Sequence, residues 1–291
     1  SLAGDKLRDY IDKYTSKPLM AILIGALVTI MIQSSSATTA ITIGLVRAGL
    51  MRLEQAAGIV MGANIGTTVT AFLIGLKVEQ FALFFVFAGG VVISFAKRKK
   101  SRTIGEIVMG FGLLFYGLRI MGDSLSMLKD MPEFIAFAEM MGRQPILALL
   151  AGTVLTALIQ GSAATIGVVQ KLVEAGAMSL SAALPFVFGS NIGTTITGVF
   201  AAIGGSLAAK RTAGLHTLFN VIGTLIGMLL LQPYILLITE LSKLLNIAPM
   251  MQIAVAHILF NVGATILFFP FLKQMCQLVK KLIPGQEPER L

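Results

Sequence analysis

The sequence predicts an all-α polytopic membrane protein, an inverted-topology repeat with two re-entrant helical hairpins, two broken transmembrane helices and six spanning segments. Three observations carry that expectation. The 291 residues are 56% hydrophobic and only 13% charged, with a mean hydropathy of +0.86, whereas soluble domains carry about 25% charge. A shift of 127 residues lays 18–70 on 145–197 without a gap, giving 25 identities in 53 pairs. The shared residues include polar ones: Gln33 meets Gln160, Ser35 meets Ser162, and Thr38 meets Thr165. Gly62-Ala63-Asn64-Ile65-Gly66-Thr67-Thr68 likewise meets Gly189-Ser190-Asn191-Ile192-Gly193-Thr194-Thr195.

Residues 1–17 place Leu2, Leu7, Tyr10, Ile11 and Tyr14 at helical spacing, with Lys6, Arg8, Lys13 and Lys17 for headgroups. That pattern fits an amphipathic helix on the membrane surface. Repeat 1, residues 18–122, opens with a hairpin at 18–49. Its first arm, 18–32, would rise about 22 Å as a helix, too short for a hydrocarbon core of about 30 Å. A turn back at Gln33-Ser34-Ser35-Ser36 avoids a lipid-exposed break. The next segment, 54–76, holds two glycines and an Asn within five residues; this predicts a break in the helix, with Thr67 capping the restart. Segments 81–96 and 103–122 follow. Three crossings between the hairpins is an odd number, so the second hairpin enters from the opposite face, as in transporters with inverted repeats.

Residues 123–144, with Asp123, Asp130, Glu133 and Glu139 against Lys129 and Arg143, are expected as an extracellular loop. Repeat 2, residues 145–272, has its hairpin at 145–176 and its broken helix at 181–203, with Thr194 as the matching cap. Crossings at 212–231 and 250–272 flank an interfacial helix at 232–247, and 273–291 forms a cytoplasmic tail. This arrangement gathers the basic clusters Lys6 to Lys17, Lys97 to Arg102, Lys210-Arg211 and Lys273 to Lys281 on one side. By the positive-inside rule that side is the cytoplasm, and both termini lie there.

Composition also excludes function classes. One Cys and two His allow neither an intrachain disulfide nor a zinc site built on Cys/His spacing. The bases sit in short clusters between apolar runs rather than on a face interleaved with aromatics, which argues against nucleic acid. No paired carboxylates, Walker A pattern or Gly-x-Ser-x-Gly elbow suggests an enzyme.

Hairpin tips and helix breaks offer helix N-termini, whose unpaired N–H groups and positive dipole ends favour anions such as phosphate. Hydroxyls of Ser34, Ser35, Ser36, Thr38, Ser162 and Thr165 can donate to oxyanion oxygens, and the amides of Gln33, Gln160, Asn64 and Asn191 can brace the loops. Neutral oxygens at the same places suit Na⁺. No Asp or Glu lies at a tip or in either heptapeptide, which argues against proton coupling through carboxylates. His216 and His257 each begin a His-x-Leu-Phe-Asn pattern. Placed four residues apart on one helical face, His and Asn are expected to bond between helices; a proton relay is the sharper alternative.

At the duplicated Gln-Ser-Ser-Ser and Gly-Ala-Asn-Ile-Gly-Thr-Thr segments the chain resembles the type II sodium/phosphate cotransporter family, bacterial branch, over about residues 18–272. The resemblance implies Na⁺-coupled uptake of inorganic phosphate by alternating access of the elevator kind, with Na⁺ as coupling ion and no cofactor. It implies a multi-pass protein of the bacterial inner membrane, with a homodimer expected from elevator-type carriers. Under it, phosphate falls to Ser34, Ser35, Ser36, Ser162, Thr67 and Thr194. Sodium falls to Gln33, Gln160, Thr38, Thr165, Asn64, Asn191, Thr68 and Thr195. Gly161 and Ala163 depart from the motif and cost the second tip two hydroxyls. Two alternatives stay open: a carrier of another oxyanion or carboxylate, and a membrane sensor that binds phosphate without transporting it.

Overall fold

A computed structural model describes residues 2–286. Among the described residues the regular elements are all helices: α1 (Leu2–Thr15), α2 (Pro18–Ile32), α3 (Ser35–Arg47), α4 (Leu53–Gly75), α5 (Ala82–Phe95), α6 (Lys99–Leu125) and α7 (Pro132–Arg143). They continue as α8 (Pro145–Ile159), α9 (Ser162–Glu174), α10 (Leu180–Ala202), α11 (Leu207–Leu229), α12 (Leu231–Leu245), α13 (Pro249–Phe268) and α14 (Leu272–Leu282). Five stretches are long and apolar enough to cross a membrane: Leu53–Gly75, Lys99–Asp130, Leu180–Ala202, Leu207–Leu229 and Pro249–Leu282. The sixth expected span, 81–96, is the shorter helix α5 with a 3₁₀ turn before it, together Glu79–Phe95.

Local chemistry sets the helix ends. Pro18, Pro132, Pro145 and Pro249 stand at the first helical turn, where a missing N–H costs nothing. Ser179 and Ser206 cap α10 and α11 by accepting from Ala182 N and Ala209 N. α1 bends 107° away from α2, and α7 bends 113° away from α8. The α1 bend fits a surface helix. The α7 helix corrects the expectation of a loop at 123–144: its apolar residues Ala138 and Met141 are buried, and the 127-residue shift matches it to α1. The tail expected at 273–291 also holds a packed helix. Leu272, Met275, Cys276 and Val279 of α14 recur at helical spacing and are buried; residues 287–291 lie outside the described ones.

At each hairpin the chain folds back through two residues. Gln33 and Gln160 take the left-handed conformation, with φ of 59° and 60°, which is uncommon for a residue bearing a Cβ. Thr29 Oγ1 donates to Thr38 Oγ1 at 2.9 Å, and Thr156 Oγ1 to Thr165 Oγ1 at 3.0 Å. Nine residues of straight helix would hold such pairs about 13 Å apart, so each bond records a reversal.

The expected breaks in 54–76 and 181–203 are absent. α4 and α10 are continuous helices of 23 residues, and Thr67 and Thr194 donate back to Ala63 and Ser190 carbonyls instead of capping a restart. The glycines serve another purpose. A Cβ on Gly62 would lie 1.9 Å from Ile22 O of α2, and one on Gly189 would lie 2.0 Å from Leu149 O of α8. Small residues let helix backbones touch where lipid offers no hydrophobic drive for association. The intrinsic cost of helical Gly, about 1 kcal/mol, is offset by that contact.

α4 and α10 are the buried centre, with 67% and 72% of their apolar windows inside, against 22% for α6. The hairpins also reach across: α3 packs on α10 and α9 on α4. Phe84, Phe87 and Phe95 of α5 face outward, as suits lipid. On the face where α4 ends, Lys171 of α9 is only 4% exposed and is held by Glu79 and by Glu174, the latter at 3.1 Å. Lys77 joins Glu174 at 3.2 Å. The pairing of Glu174 with Lys171 is local, three residues apart on α9, whereas the burial of Lys171 and its reach to Glu79 join the two repeats.

Gly62→Ala and Gly189→Ala should each lower the thermal unfolding midpoint by several degrees, because the added carbon meets backbone that cannot turn aside and overpacking costs about 1–3 kcal/mol. Gly44→Ala, with nothing within 4 Å of its added carbon, should leave the midpoint unchanged or slightly raised in the same assay.

Candidate functional site

The two reversals bring α3 and α9 tip to tip, and Ser36 Oγ donates to Gln160 O at 3.4 Å. Between the tips and the middles of α4 and α10 lies a narrow pocket, about 10 Å³ in this arrangement, lined by Ser35, Asn64, Thr67, Ser162, Asn191 and Thr194. These six are three pairs related by the 127-residue shift. No charged side chain lines the pocket. Its electrostatics come from helix ends: Ser35 and Ser162 are the first residues of α3 and α9, so two positive dipole ends converge there. The loss of the expected breaks reduces the available N-termini to those two.

The asparagines are oriented by a relay that appears twice. Asn220 Nδ2 of α11 donates to His216 O at 2.9 Å, which turns Asn220 Oδ1 outward to accept from Asn64 Nδ2 at 2.9 Å. Asn64 Oδ1 is thereby left for the pocket. On the other side Asn261 Nδ2 of α13 donates to His257 O at 2.9 Å, and Asn261 Oδ1 accepts from Asn191 Nδ2 at 3.0 Å. Each chain of donors leaves an amide oxygen with no donor among the described residues. Hydroxyls and N-terminal N–H groups supply donors, and the two amide oxygens supply acceptors. The lining therefore carries groups suited to an anion and groups suited to a hard cation.

Of the residues expected at phosphate, Ser35, Ser162, Thr67 and Thr194 line the pocket. Ser34 instead caps α3, accepting from Ala37 N at 3.1 Å, and Ser36 bridges the tips. Gly161, standing where Ser34 stands in the first tip, supplies no such cap. Of those expected at sodium, only Asn64 and Asn191 line it. Gln33 turns aside, donating to Ile30 O and accepting from Thr70 Oγ1 at 2.8 Å, and Gln160 contributes its carbonyl to Ser36. Thr38 and Thr165 tie the hairpin arms. Thr68 and Thr195 bond to Ile65 O and Ile192 O within their own helices.

The interhelical role expected of the His-x-Leu-Phe-Asn patterns falls to their asparagines alone. Both His rings are 1% exposed, and neither nitrogen of either ring has a partner among the described residues. Thr29 and Thr156, which hold the arms together, were not singled out from the sequence. Their signal was present, since the repeat pairs them as identical polar residues in otherwise apolar arms.

The profile of the Na⁺/Pi-cotransporter family matches residues 1–123 and 128–274, and the chain belongs to that family. It is 33% identical over 98% of its length to the Bacillus subtilis protein YqeW, covering 92% of that protein. It is 28% identical, again over 98% of its length, to Escherichia coli K12 YjbB, provisionally described as an inorganic phosphate export protein, and spans 52% of it. A segment of 75 residues is 40% identical to sodium-dependent phosphate transport protein 2A of Ovis aries, covering 26% of this chain and 11% of that one. No solved structure gives a significant match. Family and apolar helices together make this a multi-pass membrane protein of phosphate transport.

An Asn64→Ala/Asn220→Ala double-mutant cycle should give a coupling of about 0.6 to 1.7 kcal/mol, the range for interhelical polar pairs in membranes. Asn191→Ala/Asn261→Ala should match it. Denaturation of the four proteins of each cycle provides the measurement, and a coupling near zero in both would show that the asparagines are not paired.

Proposed function

We propose that the protein is a Na⁺-coupled carrier for inorganic phosphate, and that the pocket between the hairpin tips holds both ions. One observation carries this reading: two helix N-termini and the paired hydroxyls of Ser35 and Ser162 face two amide oxygens whose orientation is fixed by the Asn relays. The donors suit phosphate oxygens. The oxygens of Asn64 and Asn191 suit Na⁺, which neutral oxygens can hold when bound phosphate supplies the negative charge. Anion and cation then stabilise each other, and linkage requires each to raise the other's affinity by the same factor.

The re-entrant placement of both hairpins, the inverted repeat and cytoplasmic termini in a bacterial inner membrane belong to this reading. So does alternating access of the elevator kind, carried out by a homodimer. Uptake is the direction we infer, because coupling to an inward Na⁺ gradient brings phosphate in. Export is the second reading, favoured by the description of YjbB.

Proteoliposomes loaded with and without an inward Na⁺ gradient decide between these. Accumulation of radiolabelled phosphate should require Na⁺, and raising Na⁺ should lower the apparent phosphate KM. Na⁺-independent efflux from preloaded vesicles would favour export, and binding without flux would favour a sensor.

Ser35→Ala and Ser162→Ala should each raise the apparent phosphate Kd roughly tenfold or more, since a hydrogen bond to a charged group is worth about 1.5–3 kcal/mol. Thr68→Ala, outside the pocket, should have little effect on that Kd. If both serine variants bind phosphate and Na⁺ as the unmodified protein does, the tips are structural.

A further inference from the structure

A second cavity, about 610 Å³, lies at the opposite end of α4 from the residues that hold Lys171. The α1–α2 junction, the first turn of α4 and α14 enclose it. Ligand pockets commonly fall between about 300 and 1,000 Å³. Arg52 precedes Asn64 by twelve residues on the α4 axis, or roughly 18 Å of helix, so the cavity is separate from the pocket between the tips.

Its wall carries three cations, Arg52, Lys273 and Lys280, and one carboxylate, Glu54. Lys280 meets Glu54 at 3.2 Å. Arg52 reaches the neutral Gln55 Oε1, at 3.4 Å from its Nε. Lys273 has no carboxylate partner among the described residues, nor has the Gln277 amide a hydrogen-bond partner there. Arg52 also attracts Glu54, and Asp12 keeps its charge behind the wall while accepting from the neutral Gln55 Nε2 at 2.8 Å. Three cations therefore stand against two carboxylates, and Lys273 and the Gln277 amide are the groups at the opening without a partner among the described residues.

The fold does not require these charges. At the matching start of α10, the repeat places Ser179, Ser181 and Ala182 where α4 has Arg52, Glu54 and Gln55, and Ser179 caps that helix without charge. Gln55 is used by the fold, since it also donates to Thr15 Oγ1 at 3.1 Å and seats α1 on α4. Lys273 and Gln277 have no such structural work among the described residues, and Arg52 is tied only to Gln55 at the start of its own helix.

We infer that this cavity is a second anion site, taking a phosphate group between Arg52, Lys273 and Gln277 at the membrane surface. Guanidinium and ammonium groups recognise phosphate through charge-assisted bonds. Two sources share that chemistry: free inorganic phosphate, and the phosphodiester headgroup of an anionic lipid such as phosphatidylglycerol. The opening lies at the bend between α1 and α2, which is headgroup level when α1 rests on the membrane surface as the sequence predicts. Its placement on the cytoplasmic side rests on the orientation proposed above; the binding itself does not.

The test uses the full chain purified in detergent, in two arms. Radiolabelled phosphate binding is measured on protein carrying Ser35→Ala and Ser162→Ala, so that the tip pocket contributes little. Native mass spectrometry compares retention of phosphatidylglycerol with that of phosphatidylcholine. Arg52→Gln with Lys273→Gln should weaken phosphate or phosphatidylglycerol binding at least tenfold, and Arg52→Lys with Lys273→Arg should retain it. Gln277→Glu, which places a carboxylate at the opening within one helical turn of Lys273 and Lys280, should weaken it as well; this variant decides the matter if the double glutamine variant does not fold. Sensitivity of phosphate alone identifies a soluble anion as the ligand, and sensitivity of phosphatidylglycerol alone a lipid. If neither ligand responds to Arg52, Lys273 or Gln277, the inference is overturned, whatever becomes of phosphate binding at the tips.

Discussion

Backbone contact between α2 and α4, and its counterpart between α8 and α10, is the constraint from which the remaining geometry follows. A carbonyl of one helix sits where a Cβ of the other would be, which fixes the height of each hairpin arm against its central helix. That height sets where Gln33 and Gln160 reverse the chain, and hence where α3 and α9 begin. In water such contacts would compete with burial of larger side chains. In lipid, where apolar side chains gain nothing from meeting one another, close approach and van der Waals contact are what associate helices.

Polar satisfaction forms the second layer. An amide inside a bilayer must find partners or cost several kcal/mol, and the Asn64–Asn220 and Asn191–Asn261 pairs meet that demand with half of each motif amide. The other half is committed to the pocket by elimination, because Asn220 and Asn261 have already spent their donors on the carbonyls of His216 and His257. Residues some 150 positions apart in sequence thus determine which atom of Asn64 faces the pocket.

Much of this was legible from the chain. The 127-residue repeat located both tips and picked out Ser35, Ser162, Asn64 and Asn191 because polar identities in apolar sequence are conspicuous. The state of α4 and α10 was not legible, since Gly-x-Asn-Ile-Gly reads equally as a place where a helix ends and as a place where another helix leans on it. Only the position of Ile22 and Leu149 carbonyls separates the two. Gln33 and Gln160 were expected to offer their side chains to Na⁺. The left-handed turn instead aims those side chains out of the pocket, a matter of φ that composition does not encode. Helix α7 was hidden by its charges, which suggested a loop until Ala138 and Met141 showed a buried face.

The halves are alike at the tips and unlike at the rims. Lys171 and Glu174 of α9 correspond to Gly44 and Arg47 of α3, and Lys77 and Glu79 to Gly204 and Ser206. One rim therefore has an ion-pair clasp between a hairpin and the neighbouring repeat, and the matching positions at the other rim cannot form it. On the carrier reading proposed above, such a molecule would not be kinetically symmetric. Parting the clasp would take a lysine that is 4% exposed away from its carboxylates, whereas the Glu54–Lys280 pair at the opposite end of α4 is already about two-fifths exposed. A duplicated interior would then treat its ligands evenly from either direction while the unequal rims made entry and exit run at different rates.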